Sequence, residues 1–192
     1  MPQLQVSPQD TTTHRDFFLP AFAGLSLLFF IFRFLTLWTA IETVSWHEEL
    51  AVGAVARELM LGLKSSLWTY QLDYYSGDSI ILSFITSLFF KGFGINLFVL
   101  KLVPLFFSYS ILCVTAHFLR RHFGASAALW SSFFLIFSPP ALVSQSMILM
   151  GAHYEALLFA VLTLAFFYES LWARPESKFF LVLFGFTAGL SF

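Results

Sequence analysis

The chain has 192 residues, 58% of them apolar and only 11% charged, with 27 Phe and a net charge of −1. Soluble domains average about 45–50% apolar and about 25% charged residues, and a small domain leaves much of its surface exposed, so this composition excludes a soluble fold. The aromatic content excludes disorder, and 10 Lys/Arg against 11 Asp/Glu leave no basic excess for nucleic-acid phosphates.

Residues 1–16 read as a polar cytoplasmic tail. Phe17 to Ala40 is the first long apolar run. Its roughly 24 residues reach about 36 Å as a helix, enough for a ~30 Å hydrocarbon core. It is longer than a signal-peptide core and lacks a small-x-small cleavage site, so it reads as an uncleaved anchor. An external loop, 41–96, follows.

Within that loop SWHEELAVGAVARELMLGLK reads as an amphipathic helix. Val52, Val55, Leu59 and Leu63 fall on one face, with Gly53, Arg57 and Lys64 on the other. Its first turn carries Glu48 and Glu49. A partly desolvated carboxylate at a membrane interface suits a general base acting on a hydroxyl. Ser45-x-x-Glu48 is equally a capping box, and acids in a first turn complement the helix dipole.

Next comes LWTYQLDYYSGD, with Asp73, Tyr74 and Asp78. Aromatics beside carboxylates suit carbohydrate; an interfacial aromatic belt and a helix cap at Asp78 account for the same residues without a ligand. Ser79–Phe90 spans only about 18 Å as a helix, too short to cross, and reads as a juxtamembrane helix.

Further spans are expected at Leu97–Leu119, Ala125–Met147, Ala152–Trp172 and Lys178–Phe192. The span Ala125–Met147, third in the chain, contains Pro139–Pro140, which should bend it or open its hydrogen-bond ladder. The last is too short to cross, and we read it as an incomplete span of a longer protein. With the tail inside, Arg120, Arg121, Arg174 and Lys178 all fall in short cytoplasmic loops, as the positive-inside rule requires. The fold class expected is therefore all-α: a polytopic membrane helix bundle with external amphipathic juxtamembrane helices.

A second polar cluster, Gly151 to Glu155, falls at the outer mouth between spans three and four, where His153 and Glu155 would share a side with Glu48 and Glu49. Ionisable residues at mid-helix depth cost about 2.5–3.5 kcal/mol each and usually face a cavity. Arg33 and Lys101 lie inside spans, either snorkelling to headgroups or turned inward towards a phosphate or a carboxylate. The single cysteine, Cys113, sits in an apolar run and forms neither an internal disulfide nor a Cys-based metal site. His47 and the two glutamates leave room for a divalent cation, although no ligand spacing supports one.

In order and spacing the chain resembles the amino-terminal portion of the GT-C superfamily of membrane glycosyltransferases, in the protein O-mannosyltransferase-like and aminoarabinose-transferase-like branch. The resemblance rests on the acidic pair Glu48-Glu49 and on FFKGFGINLFVLKLVPL, Phe89 to Leu105. It also rests on SPPALVSQSMILMGAHYEALLF before and through the second cluster. Glu-Glu stands here where the family usually has Asp-Glu, and Ser76-Gly77-Asp78-Ser79 where it usually has His-Pro-Pro.

The resemblance implies transfer of a sugar from a polyprenyl-phosphate donor to a lipid or protein acceptor, on the outer face of a bacterial inner membrane. Glu48 would activate the acceptor, and Glu49 would orient it or a cation. Asp73, Tyr74, Asp78, His153 and Glu155 would line the site, and Arg33 or Lys101 would neutralise donor phosphate. The rivals are a lipid or sugar transporter subunit, whose polar residues should lie along a path within the spans, and a non-catalytic membrane partner derived from such an enzyme.

Overall fold

A computed structural model describes residues 11–41, 47–63, 79–149, 154–173 and 175–190. Every regular element among them is helical: α1 (Thr11–Ala40), α2 (His47–Met60), α3 (Ser79–Phe93), α4 (Leu97–Phe123), α5 (Ala125–Ile136), α6 (Pro140–Gln145), α7 (Tyr154–Tyr168), a π-helical turn (Glu169–Ala173) and α8 (Lys178–Leu190). Among the described residues three helices are long and apolar enough to cross a membrane, Phe17–Thr39, Leu97–Phe123 and Tyr154–Ala173. The chain is a membrane protein by this measure.

The ends of the elements follow local chemistry. The α1 helix runs back to Thr11, into the polar stretch expected to be tail. Asn96 caps α4 by accepting the Val99 N–H at 2.9 Å, which satisfies one of the donors a helix start leaves open. Gly62 ends α2 in a left-handed conformation, φ +66. Leu63 N–H donates to Glu58 C=O and Gly62 N–H to Leu59 C=O, the paired closing bonds of a Schellman cap. Leu63, expected on the apolar face of α2, therefore lies beyond the helix and is exposed.

The stretch expected as one span over Ala125–Met147 is two helices, α5 and α6, with Phe137, Ser138 and Pro139 between them. The α5 helix has 12 residues, about 18 Å of rise. Pro139 and Pro140 lack the N–H groups that would continue its ladder.

The longest helix after α1, α4, is the axis of the assembly. Alongside it α1 runs antiparallel, Phe29 meeting Leu112 and Ile136 while Leu37 meets Leu105, Val143 and Met147. In contrast α7 runs parallel to α4. Leu158 joins Phe107 and Ile111 in one cluster, and Glu169 meets His122 fifteen residues further along α4 than Phe107, as the numbering shows. From α7 the chain returns along α8, where Thr163 Oγ1 donates to Thr187 Oγ1 at 3.0 Å. On the other flank α2 lies on α3, and Val52, Ala56 and Leu82 pack against Val99, Leu100 and Val103 of α4.

A buried ion pair and a buried arginine

The acidic pair is split by the geometry of a helix start. Consecutive residues point about 100° apart, so Glu48 is exposed while Glu49 joins Val52, Val55 and Ala56 on the buried face of α2. Glu49 Oε2 lies 2.5 Å from Lys101 Nζ, and both side chains are fully enclosed. Its other oxygen, Oε1, accepts the Leu149 N–H at 3.3 Å. One carboxylate thus ties together α2, α4 and the segment after α6, across 52 and 100 residues of chain.

Two buried charges cost several kcal/mol each to desolvate, and the pair holds only because both are matched. Lys101 has its charge balanced inside the protein, and Glu49 has both oxygens engaged. The roles expected of them, phosphate binding and acceptor orientation, therefore compete with a packing role that the geometry displays directly.

Arg33 is different. It is 2% exposed, so it turns inward instead of snorkelling. Its guanidinium carbon lies 5.4 Å from the centroid of Phe29 and 5.7 Å from that of Phe32. Its Nε and Nη1 have no hydrogen-bond partner among the described residues. The register of α1 on α4 sets Arg33 roughly seven residues, about 10 Å, deeper than Lys101. Tyr154, at the start of α7, lies within electrostatic range of the guanidinium and donates its hydroxyl to Leu142 C=O at 2.9 Å. Sequence reasoning passed over Tyr154; its place next to Glu155 in the second cluster was the available signal.

Glu155 is buried in the first turn of α7, where a carboxylate also complements the helix dipole. Asp73, Tyr74, Asp78 and His153 lie outside the described residues. Among those described, no three His, Cys, Asp or Glu side chains gather as metal ligands.

A second polar cluster, which sequence reasoning did not single out, forms at the opposite end of α4. Glu169 Oε1 accepts from His122 Nε2 at 3.0 Å and from Arg121 Nη1 at 3.2 Å. The sequence signal was a glutamate ending an apolar run, with Arg120, Arg121 and His122 ending another. Lys101 and Arg121 are separated by about 30 Å of helix, close to the hydrocarbon thickness of a bilayer.

No family model matches the chain, and neither does any curated protein or solved structure.

Proposed function

We propose that the chain binds the phosphate of a lipid at Arg33 and that, in line with its resemblance to GT-C enzymes, the lipid is a polyprenyl-phosphate sugar donor. The observation that carries this reading is the buried guanidinium, two of whose nitrogens have no hydrogen-bond partner among the described residues. A cation enclosed by Phe rings at this depth is stable only if an anion joins it. Phosphate is the anion that membrane lipids supply, and a guanidinium fork matches its oxygens.

In this reading Glu48, the exposed carboxylate, is the base that takes the acceptor's proton. Glu49 acts through Lys101 as a positioning residue, holding the first turn of α2 on the bundle. Glu155 and Tyr154 lie on the α7 side of the same region. Asp73, Tyr74, Asp78 and His153 are proposed to contribute sugar contacts from the loop and the second cluster.

The test uses the full chain in lipid nanodiscs with a polyprenyl-phosphate hexose. Arg33→Leu should weaken binding at least tenfold, because a charge-assisted hydrogen bond contributes about 1.5–3 kcal/mol. Unchanged binding would remove the phosphate assignment. Glu48→Gln should abolish transfer to an acceptor while leaving donor binding intact. Donor binding with no transfer by the native chain would favour the rival reading of a non-catalytic lipid-binding partner.

A further inference from the structure

A cleft of about 320 Å³ opens at the Arg121 end of the bundle, between α4, α7 and the start of α8. Its walls are mostly apolar, formed by Val114, Phe118, Leu162, Phe166 and Phe180, with Cys113 on the same lining. Its polar groups are His117, Arg121 and Glu169. Along α4 the lining runs from Cys113 to Arg121, about 12 Å of rise, from mid-helix to the last turn. The volume falls at the lower end of the range for small-ligand sites.

The carboxylate is the unusual feature. Glu169 opens the π-helical turn, a wider turn that often marks functional positions. It is 6% exposed. One oxygen is taken by Arg121 and His122, whereas Oε2 is buried with no hydrogen-bond partner among the described residues. A buried carboxylate oxygen without a donor is costly. Arg121 lines the same cleft and is more than a third exposed. The cleft thus offers an acceptor inside, a donor fork at its rim and an apolar slot running into the hydrocarbon region.

We propose that this cleft binds a membrane phospholipid with an ethanolamine headgroup. The phosphate sits on Arg121, the ammonium donates to Glu169 Oε2, and one acyl chain lies against Phe118, Phe166 and Phe180. A choline headgroup offers the same phosphate and charge but no N–H donor, so it leaves Oε2 unsatisfied. The site stands about 30 Å along α4 from the Lys101 end and does not depend on the glycosyltransferase reading.

The experiment is native mass spectrometry of the delipidated full chain in detergent, titrated separately with dioleoyl-phosphatidylethanolamine, -phosphatidylcholine and -phosphatidylglycerol. Ethanolamine lipid should bind at least fivefold more tightly than choline lipid, and Glu169→Gln should erase that preference. Ala165→Phe, which fills the cleft and leaves the Glu169 contacts in place, should block both lipids. Cys113, the chain's single cysteine, gives a readout that needs no variant: ethanolamine lipid should slow its alkylation by N-ethylmaleimide at a concentration at least fivefold lower than choline lipid requires. Equal affinity for ethanolamine and choline lipids would overturn the proposal. So would tighter binding of phosphatidylglycerol, or ethanolamine binding unaffected by Ala165→Phe.

Discussion

Replacing Lys101 with Met tests the central contact of the bundle. The substitution nearly conserves volume but leaves Glu49 fully enclosed with, among the described residues, only the Leu149 N–H, at 3.3 Å, as a donor. Removing one partner of a buried pair costs about 3–5 kcal/mol, since the remaining charge stays desolvated. That lowers the folding equilibrium constant roughly a hundredfold to several-thousandfold. Glu49→Leu should cost a similar amount, because it removes the carboxylate that both Lys101 and the Leu149 N–H engage. The double variant Glu49→Leu/Lys101→Met should cost only about 1–3 kcal/mol, mainly from the Leu149 N–H left without its acceptor. The coupling between the two sites should therefore be at least about 3 kcal/mol, well beyond that of an exposed pair. The measurement is equilibrium unfolding of the full chain in mixed micelles by SDS titration, with limited proteolysis near Glu48 reporting release of α2. Additive single effects, or a Lys101→Met protein as stable as the native chain, would refute a buried pair as the tie between α2 and α4.

Three further outcomes follow from named contacts. Arg33→Leu should raise the stability of the ligand-free chain in the same titration, because it removes a buried cation two of whose nitrogens lack a hydrogen-bond partner among the described residues; a loss of several kcal/mol would mean that the guanidinium is paired within the protein. Asn96→Ala should cost about 1 kcal/mol by removing the acceptor of the Val99 N–H, with Asn96→Asp retaining most of the stability. Gly124 joins α4 to α5 at φ +93 and ψ 170, a region open almost only to glycine, so Gly124→Ala should cost about 1–3 kcal/mol by unfolding titration. An effect there below about 0.5 kcal/mol would show that the junction adopts another conformation.

The Lys101 and Arg121 ends also differ in how they hold charge. At the Lys101 end one carboxylate and one ammonium neutralise each other in full enclosure. At the Arg121 end the carboxylate shares one oxygen between the Arg121 guanidinium and the His122 ring, while Arg120 stacks its guanidinium 4.2 Å from the Phe18 ring centroid. Basic residues in the last turn of α4 also complement the helix dipole. A single helix is thus pinned near both ends by side chains from α2, the π-helical turn and α1.

Composition and hydropathy alone determined that the chain is a helical membrane protein, because lipid tolerates only backbones that satisfy their own hydrogen bonds and a run such as Phe17–Ala40 has the length to cross. They also marked Pro139–Pro140 as a break in the apolar run from Ala125 to Met147, since proline lacks the donor a helix needs. Sequence spacing singled out Glu49, Arg33 and Lys101 as residues out of keeping with their surroundings, but it could not pair them. Glu49 and Lys101 are 52 residues apart, and helical periodicity says nothing about which helix a face will meet. Only tertiary packing decided that Glu49 turns inward and Glu48 outward. It likewise left Arg33 without a hydrogen-bonding partner among the described residues, and it brought Glu169 under Arg121 and His122. Local patterns set which side chains are costly to bury; the three-dimensional fold sets which of those costs are offset.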